Sequence, residues 1–493
     1  MLFPTLGFGI FFLIVFAVAW ELRAWPQARK AFLVAVSYVF YGCWDWRFTA
    51  LLAASSLINY TAGRLLAVTV SDRGRRQLVA IAIALNLGIL GFFKYYGFFL
   101  ESLSDLLTRA GLARDLPFLE VILPIGISFF TFHGISYVVD VYRGKIPAEK
   151  SPLDVFLYIS FFPQLVAGPI VRAADFLPQL KTEPKLDRAM VANGIVLILI
   201  GLFKKMVIAN YLANELVDGV FFDPSAFSGP DLLLALYGYA VQIYCDFSGY
   251  SDIAIGVAGL LGYHFKPNFA QPYRSASLRE FWRRWHISLS SWLRDYLYKP
   301  LGGSHQGTAK TYRNLAITML LGGLWHGAAW TFIIWGAIHG TALAIERLLL
   351  AFRSEPAPAL AVVGYGHGSA ARMLAAGASG GQAFSKALAV FVTFNLVCLA
   401  WIFFRAESLD LALSYLRGLA DWSGPVERAT PFLVALVTAS LAGHFVSGDL
   451  VQRLCARLEH AGTLTLGAVL GFGILLIFAV APEGVAPFIY FQF

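Results

Sequence analysis

Apolar runs of membrane-spanning length recur along almost the whole chain, separated by short polar breaks. They cover 2–20, 31–44 with 48–68, 78–100, 117–141, 152–171, 189–209, 231–262, 314–350, 386–404, 431–447 and 463–481. A bilayer-crossing helix needs about 20 apolar residues, and 314–350 is long enough for two. The pattern predicts an all-α polytopic membrane protein with about 10–12 transmembrane or re-entrant helices. Segment 152–171 is interrupted by Pro163 and by Gly168-Pro169. It is expected to be broken or re-entrant, an arrangement tolerated where protein or a water-filled cavity covers the irregular backbone. Segment 277–298 is too polar to span and too aromatic for a free loop, and is expected as an interfacial or half-inserted helix. No internal repeat of fixed period is visible, which counts against a transporter built from inverted repeats.

Composition extends this picture to the full length. Of 493 residues, 58% are hydrophobic and 14% charged, where soluble domains carry about 25% charged residues. The deficit is spread along the chain, so residues 1–493 are expected to form one integral-membrane domain, with the motif-rich core over about 117–345. The first apolar segment lacks a basic leader and a small-residue cleavage site, and is read as a retained helix. The net charge is 38 − 30 = +8. In a membrane protein this mainly encodes orientation, and nucleic-acid binding is not expected. Arg23, Arg29 and Lys30, then Arg73, Arg75 and Arg76, then Arg143 and Lys145 fall on one side if the amino terminus lies outside. Region 263–313, with nine basic residues against Glu280 and Asp295, should share that cytoplasmic side. Region 354–384 is rich in Gly, Ala and Ser and is expected to be a flexible loop. Cys43, Cys245, Cys398 and Cys455 are scattered and look like small core residues, with no metal-ligand spacing.

Polar residues inside apolar runs are the candidates for chemistry. A charge centred in a bilayer costs about 2.5–3.5 kcal/mol on insertion scales, so ionisable groups kept there are usually used. His326, in Leu324-Trp-His-Gly327, is flanked by apolar residues. It is either a hydrogen-bonded contact between helices or a general base, since free imidazole titrates near pH ~6.5. Gly322, Gly323 and Gly327 around it allow close helix approach. His286 lies in the densely basic and aromatic stretch Phe281 to Tyr296. On a continuous helix Arg279, Arg283 and His286 share one face, as an anchor for lipid phosphates or as part of a site. His339 is expected nearer the membrane surface and His133 in the packed core. Asp246 and Asp252, with Ser248, Tyr250 and Ser251, form either a polar network between helices or the wall of a water-lined cavity. Their spacing of six does not put both carboxylates on one face unless Gly249 breaks the helix. No phosphate-binding loop, Gly-Xaa-Ser-Xaa-Gly elbow or dinucleotide fingerprint is present.

Taken together, Ser37 to Tyr41, Leu123 to Phe129, Ile135 to Arg143, Phe162 to Pro169, Asp246 to Asp252, Phe281 to Leu301, Gly322 to Gly327 and Trp401 to Ala406 resemble the membrane-bound O-acyltransferase family, in its bacterial polysaccharide-acetylating, alginate-type branch. These motifs run in order over most of the chain, and Phe281 to His326 is the most specific part. The resemblance implies a multi-pass protein of the bacterial inner membrane with a thin centre and a central catalytic funnel. It implies His326 as the essential histidine and His286 as the second one, with Trp325 beside them in the cavity. It implies acetyl-CoA as a substrate rather than a bound cofactor, and Arg279, Arg283, Arg284 and Arg294 become candidates for its phosphates. It also implies a periplasmic SGNH-type acetyltransferase as partner, a polysaccharide acceptor and surrounding membrane lipid, with no metal. The rival readings are an acyl or lipid conduit without catalysis, and transfer of D-alanyl or lipid acyl groups.

Overall fold

The computed structural model describes residues 3–112, 119–352, 380–446 and 449–482, together with 484, 488 and 489. Among the described residues every regular element is helical. Seven helices among the described residues are long and apolar enough to cross a membrane: Leu6–Ala24, Trp46–Val68, Asp72–Arg109, Arg188–Phe222, Trp330–Phe352, Gly381–Arg405 and Thr463–Val480. The pair Pro431–Phe445 and Asp449–Glu459, bent by 79°, makes an eighth if it is one broken span. Four further helices stand where apolar segments were expected: Pro26–Gly42, Ile127–Tyr142, Gly229–Leu260 and Thr308–His326. Of these, Ile127–Tyr142 and Gly229–Leu260 are enclosed by the bundle along most of their length. Their neighbours rather than lipid surround them, so polar side chains find partners there and hydropathy falls.

The 32-residue helix Gly229–Leu260 is the central post. It packs along Arg188–Leu202 through a seam of glycines. A Cβ on Gly249 would stand 2.7 Å from the carbonyl oxygen of Gly201, and one on Gly256 would stand 2.8 Å from that of Gly194. Gly194 and Gly201 are seven residues apart, as are Gly249 and Gly256, so each pair lies on one helix face. Without side chains at the crossing the backbones meet directly, which is how helices gain packing where no hydrophobic drive separates them from lipid. Gly249 therefore does not break its helix, contrary to the possibility left open by the sequence.

Segment 152–171 is broken as expected. Helix Pro152–Ser160 stops at Phe161, whose φ −52° and ψ 113° leave the helical region, and a four-residue helix Phe162–Leu165 follows. Protein covers the break. The Ser37 hydroxyl accepts the Phe162 N–H at 3.1 Å, and Phe161, Phe162 and Gln164 are buried. Segment 277–298 departs from expectation. It is two short helices, Leu278–Arg284 and Ile287–Leu293, followed by a π-wound turn Arg294–Tyr298. Trp285 is extended and His286 takes a left-handed conformation with φ 41°. The single face expected for Arg279, Arg283 and His286 is thereby lost.

The basic loops meet on one face of the bundle. Arg29 donates to the Leu261 carbonyl at 2.6 Å and to the Tyr263 hydroxyl at 2.8 Å. Lys30 pairs with Asp154 at 2.7 Å, Lys181 with Glu149 at 2.8 Å and Lys266 with Asp175 at 2.7 Å. Arg75 reaches the Tyr142 carbonyl and Arg143 the Asp295 carbonyl. On the opposite face Asp231 accepts backbone N–H groups of Glu427, Arg428 and Ala429, and Arg405 pairs with Asp218 at 2.8 Å. Of the loop expected over 354–384, residues 354–379 lie outside the described residues, and the remainder opens helix Gly380–Arg405. Cys245 and Cys398 are buried as expected, but Cys43 is exposed where helix Pro26–Gly42 ends, and Cys455 is half-buried on the largely exposed helix Asp449–Glu459.

Candidate active site

Helices Thr308–His326 and Trp330–Phe352 form a hairpin, and His326 is the last residue of its first arm. Gly327 turns the chain to extended backbone, and a Cβ there would run into the Phe332 ring. Gly323 sits against the Phe332 carbonyl and Gly336, so the arms touch backbone to backbone just below the histidine. A Cβ on Gly322 would instead stand 3.3 Å from the Leu293 side chain of the Ile287–Leu293 helix. His326 is buried, 3% exposed, with its ring edge-on to Trp325, Trp335 and Phe404 at centroid distances of 5.0, 5.0 and 5.2 Å. Such a cage fixes the ring plane and excludes bulk water.

The end of this helix is held by residues that the sequence reading passed over. Lys94 lies in a π-wound turn, Gly91–Tyr95, within the long helix that begins at Asp72. Its ammonium donates to the carbonyls of Trp325 and His326, the second at 3.2 Å, and approaches the Ser128 hydroxyl at 3.4 Å. The Tyr95 hydroxyl donates to the Leu324 carbonyl at 2.9 Å. Carbonyls at a helix carboxyl end lack helical partners and carry the negative end of its dipole, so a cation there is doubly favourable.

His286 arrives from the basic face. Its left-handed backbone is uncommon for a side chain with a Cβ and persists where neighbours over-determine it. Asn268 does so. Its backbone carbonyl accepts the Ile287 N–H at 2.8 Å, and its side-chain oxygen accepts from the N–H and hydroxyl of Ser288 at 3.1 and 2.9 Å. The same oxygen lies 3.3 Å from His286 Nδ1, while Asn268 Nδ2 donates to Ser251 at 3.2 Å. The His286 ring packs on Phe247 at 4.6 Å and on Trp325 at 5.9 Å. Trp325 therefore contacts both histidines, which the structure brings to one aromatic centre. His286 Nε2 is buried and makes no hydrogen bond among the described residues.

The other candidates separate from this centre. His133 is buried beside Tyr158 as expected. His339, expected near the surface, is 1% exposed, because Trp282, Trp335 and Phe281 enclose it. Asp246 and Asp252 point to different neighbours on the same helix. Asp246 pairs with Lys205 at 2.6 Å and accepts the Ile489 N–H at 2.8 Å. Asp252 pairs with Lys204 at 2.7 Å. Successive lysines in the π-wound segment Phe203–Ala209 thus answer carboxylates that a spacing of six had put on different faces. Ser248 and Tyr250 are buried, and the Tyr250 hydroxyl makes no hydrogen bond among the described residues. Of the four arginines, Arg279 pairs with Glu346 at 3.6 Å, Arg284 with Glu280 at 2.8 Å and Arg294 with Asp295 at 3.0 Å. Arg283 is exposed and makes no ion pair among the described residues.

A richer cationic cluster surrounds Tyr296. Arg143, Lys145 and Arg172 lie over its ring at 5.5, 5.7 and 5.4 Å, and its hydroxyl donates to Asp140 at 2.6 Å. Arg172 and Lys299 each reach Asp295 at 2.8 Å. Burial pushes the Asp295 carboxyl up, but hydrogen bonds from Arg294, Lys299 and Arg172 outweigh it and hold the group well below the usual carboxylate range. The site can therefore offer a caged imidazole in the interior and excess positive charge on the face from which His286 enters.

A model of the membrane-bound O-acyltransferase family matches residues 145–361. The chain is similar over its whole length, and that of its relative, to the probable alginate O-acetylase AlgI of Azotobacter vinelandii, at 37% identity. The protein of the same name from Pseudomonas aeruginosa is 42% identical over 84% of this chain and 73% of its own length. The peptidoglycan O-acetyltransferase of Helicobacter pylori is 36% identical over 81% of this chain and 75% of its own. With these relatives and with His326 and His286 at one buried centre, the chain belongs to the membrane-bound O-acyltransferase family.

Proposed function

We propose that this protein moves an acetyl group from acetyl-CoA, presented at the basic face, towards an exopolysaccharide on the far side of the bacterial inner membrane. The relatives named as alginate and peptidoglycan O-acetyltransferases support O-acetylation of a polysaccharide. The observation that carries the chemical reading is the aromatic cage around His326, on a helix end clamped by Lys94 and Tyr95. An acceptor hydroxyl brought to that ring gives up its proton to the imidazole as its oxygen attacks the thioester carbonyl. The C–S bond breaks, and the departing thiolate recovers the proton from the imidazolium. General-base help of this kind is worth roughly 10²–10⁴-fold. The thioester supplies the activation, so no nucleotide hydrolysis is required.

His286 lines the route from the basic face and orients the donor beside Trp325. The clusters around Arg279–Arg284 and around Tyr296 draw the donor's phosphates to the entrance, where guanidinium groups bind such anions bidentately. A periplasmic SGNH-type acetyltransferase then takes the group to the polymer. The test is purified protein in liposomes supplied with labelled acetyl-CoA. Thioester cleavage should require His326, and His326→Ala should retain no more than a few per cent of turnover while inserting normally. A variant that keeps most of its turnover removes His326 from the general-base role. Failure of the wild-type protein to cleave acetyl-CoA favours the non-catalytic conduit.

A further inference from the structure

Trp282, Trp335 and His339 form a triangle of rings, with centroids 5.8 Å apart for the two indoles and 5.2 and 4.7 Å from each indole to the imidazole. Trp335 and His339 are 0 and 1% exposed. The indole nitrogens of Trp282 and Trp335 and both ring nitrogens of His339 are buried and make no hydrogen bond among the described residues. Buried polar atoms are nearly always paired, and these four belong to three rings in mutual contact. An indole N–H only donates, and imidazole supplies at least one more donor. A group that presents a hydrogen-bond-accepting oxygen answers these donors.

The position of the triangle narrows the choice of that group. Glu346 lies on the helix Trp330–Phe352 and accepts the N–H groups of Leu278 and Arg279 at the amino end of the Leu278–Arg284 helix, and it pairs with the Arg279 guanidinium at 3.6 Å. His339 lies seven residues nearer the centre, about 10 Å along the axis, and Trp335 a further turn beyond it. Trp335 then touches His326 at 5.0 Å. The triangle stands on a ladder leading from the charged entrance to the caged histidine, one ring short of its end.

We propose that Trp282, Trp335 and His339 form a binding subsite for an amide carbonyl of the linear pantetheine arm behind the donor's thioester. This rests on the acetyl-CoA reading above. The arm is otherwise flexible and largely apolar, and gripping one of its carbonyls sets how far the thioester reaches towards His326. The subsite therefore acts on donor recognition and register rather than on proton transfer.

The test compares S-acetyl-N-acetylcysteamine, which carries a thioester and one amide, with S-pentyl thioacetate, a thioester of similar length without the amide. Cleavage by the reconstituted protein is measured as kcat/KM for each. Wild type should favour the amide-bearing thioester, and His339→Phe and Trp282→Phe should each lower that preference roughly 3–10-fold, the loss of one neutral hydrogen bond. His339→Gln, which keeps a donor, should restore much of it. A preference unchanged in both Phe variants overturns the subsite, including the case in which only thermal stability falls because the triangle held a water. If His339→Phe does not accumulate, the ratio in Trp282→Phe decides. A wild-type protein that cleaves neither thioester nor acetyl-CoA brings down the proposed function with it. One that cleaves both, with the ratio indifferent to the triangle, brings down the subsite alone.

Discussion

Lys94 anchors the helix end that carries His326 through carbonyls rather than through a carboxylate. Hydrogen bonds from a charged donor are worth about 1.5–3 kcal/mol each, so Lys94→Met should leave the histidine in place chemically but loosen its position. The expected outcome is a fall in kcat of at least roughly tenfold with a smaller change in KM, measured on the reconstituted protein. The ion pair of Lys205 and Asp246 behaves differently. Removing one partner of a buried pair leaves an uncompensated charge and costs about 3–5 kcal/mol, whereas replacing both with apolar residues is often tolerated. Asp246→Asn should therefore lower the melting temperature clearly, and Lys205→Met with Asp246→Leu should recover most of the loss, both read by thermal shift in detergent. A double variant as unstable as the single one would show that the pair is not the structural unit. His326 and His286 were legible as polar residues in unusual company. Lys94 was equally visible, as a lysine inside an apolar run, but averaging over the window hid it. Asn268 could not have been found, because its partners Ser251 and His286 to Ser288 lie 17–20 residues away with no periodicity linking them.

Among the helices, the seam between Arg188–Leu202 and Gly229–Leu260 leaves the least room for change. A Cβ on Gly201 would stand 2.6 Å from the Gly249 carbonyl oxygen, backbone that cannot rotate aside. Gly201→Val should reduce the yield of folded protein sharply, while Gly467→Val, in open space on Thr463–Val480, should not. Size-exclusion profiles of the two variants check this. Apolar periodicity located most helices, including the break in 152–171, because Pro163 and Gly168 announce it locally. It failed at 277–298. That stretch has helical composition throughout, and what divides it is the Asn268 loop docking against Ile287 and Ser288, a tertiary contact overriding local preference.

For the whole molecule, charge sorts the loops into two faces, and the sorting groups the basic clusters together as the sequence reading did. A Ser304→Cys variant should resist membrane-impermeant thiol reagents added from outside, and labelling there would invert the orientation. The basic face also confers a pH dependence. The folded Asp295 carboxyl titrates below its unfolded value, about 3.9, so its contribution is fully present above that pH and is lost as pH falls towards the lower folded value. Thermal stability should therefore drop below about pH 4, and Asp295→Asn should flatten that drop while lowering stability at neutral pH. The two-faced plan was legible from the sequence. The number of spans was less so, because long helices such as Gly229–Leu260 lie inside the protein and carry their polarity there.

The π-wound turn at Gly91–Tyr95 also speaks to inheritance. Such a turn is what one surplus residue looks like when a helix absorbs it without breaking. Each residue of an α-helix turns by about 100°. A single-codon deletion between 91 and 93 would let the helix rewind regularly and swing the ammonium of Lys94 away from the His326 helix, with every residue of the site still encoded. Lineages that lost that codon would keep all the motifs of the family and lose its chemistry, which makes the length of this stretch a marker for telling working copies from decayed ones.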